Sequence, residues 1–198
     1  MTPKNRGEKT RQKIIQAAFD LFHQKGAHAT SVDEVLERSG TGKGQFYHYF
    51  KSKEALVHAV LQAFYERLKS GEGPFKASLG SWQDVERWFQ CYQSAQKSFK
   101  CERGCPVGTI GNELTQGDEL IRQDINLIFE YFHNTLARFL QSEKAKGALK
   151  PSADPDELAD FCLAVVQGGS LLAKVKRSIA PAENAMAHAL DYLKSFRR

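Results

Sequence analysis

Strand-like alternation of apolar and polar residues is hard to find in this 198-residue chain, and helical spacing takes its place almost everywhere. That shortage points to an all-α fold. Cysteine is scarce: four in the whole sequence are too few to staple a disulfide scaffold, so the thiols are expected to be reduced. No run approaches the roughly 18–20 apolar residues of a membrane span, and the start, Met1 to Lys9, is polar without the apolar core of an export signal. A cytoplasmic protein with no membrane partner is expected. Internal repeats and low-complexity tracts are missing too. With 41% hydrophobic and 26% charged residues the chain suits one or two packed domains and is too apolar to be mainly disordered.

What charge there is lies unevenly. Residues 1–55 hold ten basic and six acidic side chains, so +4 of the +5 net charge sits in the first quarter of the chain. An attraction for a polyanion therefore has an address.

The first helix is expected from about Glu8 to Lys25, with Ile14, Ile15, Ala18, Leu21 and Phe22 as its apolar stripe and Gly26 as its stop. Ser31-Val32-Asp33-Glu34 carries the Ser-x-x-Glu capping box of a second, short helix, whose buried side is Val32, Val35 and Leu36. Ser39 to Gly42 breaks the pattern, and a third short helix, about Lys43 to Phe50, carries Phe46, Tyr47, Tyr49 and Phe50. Two short helices across a glycine turn make a helix-turn-helix candidate. A fourth helix runs from Ser52-Lys53-Glu54 to about Ser70, and Gly71 to Pro74 is a breaker cluster. The expected domains are therefore 1–70 and 74–198. In the second, helices are expected around Trp82 to Tyr92, Leu120 to Leu140, about 155–178 and about 182–197, with a glycine-rich break from Gly104 to Gly117.

A helix that reads DNA must present polar groups to base edges and be flanked by groups that grip phosphates. Lys43, Gln45 and His48 are the polar members of the third helix, while Phe46, Tyr49 and Phe50 are spaced to hold it down. The hydroxyls of Thr30, Thr41 and Tyr47 and the ammonium of Lys53 are placed to clamp backbone oxygens.

The stretch from Lys9 through Leu61 resembles the DNA-binding domain of the TetR family of bacterial transcriptional regulators. The resemblance rests on Ile14-Ile15-x-Ala17-Ala18-x-x-Leu21-Phe22, Gly26, Ala29-Thr30-Ser31-Val32, Gly40, and Lys43-Gly44-x-Phe46-Tyr47-x-Tyr49-Phe50-x-Ser52-Lys53-Glu54-x-Leu56. It implies that Thr30, Tyr47 and Lys53 contact phosphates, that Lys43, Gln45 and His48 face the groove, and that Gly44 lets the DNA backbone approach. The chain departs from the family at Thr41-Gly42, which lacks the usual hydroxyl at 42 and leaves Thr41 to take over the cap. It departs again at Gln45, which replaces a frequent Thr and can pair bidentately with adenine.

Beyond residue 70 the resemblance is architectural: it implies a helical domain that binds a small-molecule effector and forms a homodimer. The last two helices are the expected dimer interface, with Phe161, Val165, Leu172, Met186, Leu190 and Leu193, and Gly168-Gly169 for close packing of a partner helix. Trp88, Phe89, Tyr92, Phe129 and Phe132 are the candidate lining of an effector pocket, with ordinary core as the alternative. The segment Cys101-Glu102-Arg103-Gly104-Cys105-Pro106 places thiols by an arginine and a glycine turn, so Cys105 and Cys101 are candidates for a redox or electrophile sensor, with an inert buried cysteine or an ordinary turn as the alternative. Gly104 to Gly108 resembles a Gly-Cys segment found in some TetR-like repressors. Cys91 and Cys162 fall within helices and read as structural.

No metal or cofactor is expected, because Cys101 and Cys105 lack the Cys-x-x-Cys spacing of a zinc site. Nor is catalysis: Gly40 to Gly44 looks like a phosphate loop, but position 37 is Glu and position 44 is Gly where that loop needs Gly and Ser or Thr. The expectation is a homodimeric, effector-responsive repressor on a near-palindromic double-stranded operator. A helical protein-binding module is the alternative, which leaves the N-terminal charge and the phosphate-clamp pattern unexplained.

Overall fold

The computed structural model describes residues 6–198; the first residues of the polar start, 1–5, lie outside the described residues. Among the described residues there are nine α-helices: α1 (Arg6–Lys25), α2 (Val32–Ser39), α3 (Lys43–Tyr49), α4 (Lys53–Lys69), α5 (Trp82–Ser98), α6 (Pro106–Gly111), α7 (Glu119–Ala145), α8 (Pro155–Lys176) and α9 (Ala180–Ser195). They divide into two compact units, and the division is not contiguous in sequence. One unit holds residues up to Glu66 together with Pro106–Asn126; the other holds Arg67–Cys105 and Leu127–Arg198. A single cut at 70–74 therefore does not describe the packing.

The first unit is built on α1, which packs against α2, α3 and α6. Its interior is Ile14, Ala18, Phe22, Val35, Phe46, Leu56 and Val60, all essentially inaccessible to solvent. Each helix of the pair is started and stopped by local chemistry. At α2 the Ser31 Oγ accepts from the Glu34 N–H at 3.2 Å while the Ser31 N–H donates to the Glu34 carboxylate at 2.8 Å, and Gly40 closes the helix in the left-handed region at φ 64°.

The expected break between Gly104 and Gly117 contains a helix. α6 is six residues long, and its buried Val107 and Ile110 give it an inner face despite two glycines. The Glu113 carboxylate just beyond it accepts from the Ala27 and His28 N–H groups at 2.8 and 2.9 Å, tying this segment to the α1–α2 corner. Farther along, Asp124 is buried and accepts from Gln62 Nε2 at 2.6 Å and lies 2.6 Å from His58 Nδ1, which joins the start of α7 to α4.

In the second unit α5, α8 and α9 pack together around Val85, Phe89, Cys162, Val166, Met186 and Leu193. Gly169 permits a close approach of α8 to α9: a Cβ there would stand 3.2 Å from the Ala182 Cα of α9. Half of the glycine pair therefore serves packing inside the protomer, whereas Gly168 faces open space. Met186 and Leu193, expected at a dimer interface, are 1% and 0% exposed and belong to this intramolecular core. Phe161, Leu171, Leu172 and Val175 are exposed instead. That double apolar character makes α8 long and apolar enough, by length and composition, to cross a membrane, although no uninterrupted apolar run had suggested it. Its Leu158, Ala159, Cys162, Val166 and Ala173 are buried in the helix bundle.

Candidate functional site

The short helix α3 has two unlike faces. Phe46 and Phe50, 0% and 2% exposed, form the inner one, their rings 5.6 Å apart, with the Arg11 guanidinium 5.7 Å from the Phe50 ring. Lys43, Gly44, Gln45, Tyr47 and His48 are all exposed, and Tyr47 keeps 55% of its surface free. The sequence thus brings the expected polar residues together on one side, anchored from behind by two phenylalanines.

The individual groups are poised differently. Lys43 pairs with Asp33 of α2 at 3.1 Å, and since both side chains are about 70% exposed the pair is worth at most about 1 kcal/mol. A phosphate can compete for that ammonium at little cost. Lys53 Nζ, at the start of α4, donates to the His28 carbonyl at 3.0 Å, which holds it beside the α1–α2 corner. A Cβ on Gly44 would meet nothing within 4 Å, so the backbone here is bare toward solvent.

Three expectations change. Thr30 is 1% exposed and its hydroxyl donates to the Gly26 carbonyl at 2.7 Å, so it stabilises the turn after α1 and offers no free hydroxyl at the surface. Thr41 does not cap α3: its hydroxyl lies 2.7 Å from Ser39 Oγ. The cap comes from Gln45, whose Oε1 accepts from the Gly42 N–H at 3.1 Å. Bidentate pairing of Gln45 with adenine would draw on the second lone pair of an Oε1 that already serves the cap, leaving the Nε2 donors as its more readily available groups.

Electrostatics supports the same frame. Glu34 has its pKa lowered from 4.5 to about 2, chiefly by its bond from Lys25 and then by the Ser31 N–H and hydroxyl. This exposed acid stays ionised and locked into the cap, leaving the basic and hydroxyl groups of α3 as the outward chemistry.

In the second unit Trp88, Phe89, Tyr92 and Phe132 are buried, whereas Phe129 is half-buried. Tyr92 is the hub, its ring 4.9 Å from Trp88, 5.9 Å from Phe132 and 4.7 Å from Phe75. Burial pushes its phenol well above the usual range, with the neighbouring Cys105 and Cys91 sulfurs adding to the effect. Cys105 is therefore part of this aromatic neighbourhood, half-buried, while Cys101 is 5% exposed. The connecting turn is bent through left-handed residues at Lys100 and Cys101, φ 51° and 56°, and the Arg103 guanidinium stands 4.4 Å over the Phe99 ring. Cys162 is pushed up to about 12 by burial, and burial raises Cys91 as well, which fits their structural reading. Among the described residues no cluster of three or more metal-ligating side chains forms.

Two family models match this chain: the bacterial regulatory proteins of the tetR family over residues 14–60, and the tetracyclin repressor-like C-terminal domain over residues 83–189. This protein belongs to the TetR family. As a TetR-family regulator it is a helix-turn-helix protein of transcription control. An uncharacterized transcriptional regulator of Lactococcus lactis is 30% identical over 94% of this chain and 92% of its own. The repressor DhaR of a Mycobacterium species is 26% identical over 92% and 91%, and the repressor NemR of Escherichia coli is 28% identical over 93% and 94%. Among solved structures, reduced NemR superposes with a TM-score of 0.73 at 26% identity, covering 96% of this chain and 97% of that one. The C-terminal model spans α5 to α9, so the TetR-family assignment covers both units.

Sequence reasoning missed Glu113, Asp124 and Gln96, the last a 4%-exposed residue of α5. Glu113 sits in a glycine-rich stretch that reads as loop, and no local pattern announces a carboxylate that will bind a corner 85 residues away.

Proposed function

We propose that this TetR-family regulator is a homodimeric, effector-responsive repressor that works in the cytoplasm on a near-palindromic operator. The observation that carries the reading is α3 itself: Lys43, Gly44, Gln45, Tyr47 and His48 all face solvent above a buried Phe46–Phe50 anchor. Tyr47 and Lys53 grip phosphates, while Lys43, Gln45 and His48 face the groove, where the Lys43 ammonium reaches phosphates as well as base edges. Two such helices enter successive major grooves, one from each protomer. The repressor names of the DhaR and NemR relatives support the sign of regulation.

The dimer forms through the unpartnered face of α8, where Phe161, Val165, Gly168, Leu172 and Val175 recur at helical spacing. The second unit receives the effector, and binding there favours a spacing of the two DNA-reading helices that no longer matches the half-sites. Cys105, beside Tyr92, is the thiol through which an electrophile acts. Its sulfur adds to an activated alkene, forming an S–C bond while the thiol proton ends on the adjacent carbon of the adduct.

Fluorescence anisotropy of the protein on tiled DNA flanking its own gene, across a salt series, tests the DNA reading. Lys43→Ala should weaken binding to the preferred fragment and reduce the slope of log affinity on log salt by about 1; an unchanged affinity and slope would remove Lys43 from the interface. For the thiol, N-ethylmaleimide should release DNA from the native protein and not from Cys105→Ser. Equal release from both proteins would exclude Cys105.

A further inference from the structure

Among the described residues, three buried polar atoms on one face of α5 have no hydrogen-bond partner: Trp88 Nε1, Tyr92 OH and Gln96 Oε1. Their residues are 3%, 8% and 4% exposed. They recur every four residues, so each stands one helical turn, about 6 Å, from the next along the axis. Buried donors and acceptors are nearly always paired, which makes an unpaired file of three a feature to explain. The Nδ1 of His133 is also unpartnered, but that ring engages the Asp156 carbonyl and the Asp160 carboxylate through Nε2 at 3.3 and 3.4 Å and belongs to a different surface.

The chemistry of the file is mixed. The Trp88 indole can only donate, the Gln96 carbonyl can only accept, and the Tyr92 hydroxyl between them does both. Around them stand uncharged rings: Phe75 and Phe132 lie 5.1 Å apart and both pack on Tyr92. Trp88 meets Tyr92 edge-on, at 73°. A charged guest here would lose its hydration without gaining a counter-charge from these side chains, and a purely apolar guest would leave all three polar atoms unpaired.

We propose that the second unit contains a recognition site for a neutral, flat, ring-bearing molecule that carries both a carbonyl-type acceptor and a hydroxyl or amide donor, held by Trp88, Tyr92 and Gln96. The proposal rests on the reading that this unit receives the effector, and it specifies that effector's class independently of any reaction at Cys105. One substituted six-membered ring spans adjacent members of the file, either with its acceptor on the Tyr92 O–H and its donor on Gln96 Oε1, or with its acceptor on the Trp88 N–H and its donor on the Tyr92 oxygen. Binding is non-covalent, so a thiol-inert compound occupies it.

The chain's two tryptophans make the site directly observable. Trp82→Phe leaves Trp88 as the single fluorophore. Para-hydroxyacetophenone, neutral and equipped with one acceptor and one donor, should perturb its emission saturably; para-hydroxybenzoate, charged, and para-xylene, without polar groups, should bind at least about tenfold more weakly. Tyr92→Phe and Gln96→Met, each conservative in shape, should each raise the dissociation constant about tenfold, with unchanged circular dichroism showing that the fold is kept. Absence of saturable binding, equal binding of para-xylene, or affinity unmoved by both variants would overturn the proposal. Anisotropy on operator DNA, measured on the same protein preparations before any ligand is added, separates the two readings. Retained DNA binding with no ligand signal refutes this site and leaves the regulator, while a ligand signal with no DNA binding supports the site and refutes the regulator.

Discussion

The tie between Glu113 and the α1–α2 corner can be tested through a residue that makes no hydrogen bond to it with a side chain. Gly26 has φ 89°, and a Cβ built on it would fall on the Glu113 carboxylate. Gly26→Ala therefore carries two costs: about 1–2 kcal/mol for an alanine in the left-handed region, and about 2 kcal/mol for the charge-assisted bonds to the Ala27 and His28 N–H groups, lost when the carboxylate is pushed away. Glu113→Ala alone should cost about 2 kcal/mol, because it removes the same bonds. In that background the clash is gone, and Gly26→Ala should cost only the backbone part, about 1–2 kcal/mol. The double mutant thus falls about 2 kcal/mol short of the sum of the singles. Both tryptophans lie in the other unit, so urea unfolding is best followed by far-ultraviolet circular dichroism, with amide exchange at Ala27 and His28 as the local readout. Additivity within about 0.5 kcal/mol would show that the two residues are independent and that Glu113 does not secure this corner.

Glu34 gives a pH signature: its folded-state pKa lies below the ordinary 4.5, so its contribution is present above that value and is lost as pH falls toward about 2. Glu34→Gln should flatten that part of the urea midpoint against pH, and identical acid profiles for mutant and parent would refute the lock. At the exposed α8 face, Leu172→Glu should shift sedimentation from dimer to monomer and weaken operator binding more than about tenfold, whereas Met186→Leu, buried within the protomer, should leave association intact. A dimer unaffected by Leu172→Glu would place the interface elsewhere. Among the thiols, Cys162 and Cys91, raised by burial, should resist alkylation in the native protein while Cys105 labels first. Mass spectrometry finding Cys162 modified ahead of Cys105 would contradict the burial argument.

Features specified by neighbours in sequence were legible. The Ser31–Glu34 box, the Gly40 stop and the Phe46–Phe50 anchor lie within four residues of their partners or report a helical period, and the structure contains all three. Features specified by tertiary approach were not. Thr30 and Thr41 read as surface hydroxyls, yet a carbonyl at Gly26 and a hydroxyl at Ser39 claim them. Periodicity marks Met186 and Leu193 as apolar without saying whether a second chain or α5 and α8 will cover them. Gln96 is one polar residue among ten on α5, and only burial beside Tyr92 distinguishes it.

The non-contiguous first unit has a consequence for biosynthesis. Ile110, Glu113, Ile121 and Asp124 complete a body whose other part ends at Glu66. At about 5–20 residues per second, a ribosome needs roughly 3–12 s to make the chain from residue 67 to residue 126. For that interval the nascent reading head lacks its closing segment, with Val57 and the α1–α2 corner open to water or chaperones. A fragment cut at residue 70 would remain in that condition permanently. Minimal DNA-binding pieces of this protein should therefore carry residues 106–126, supplied in cis through a shortened connection or in trans as a peptide.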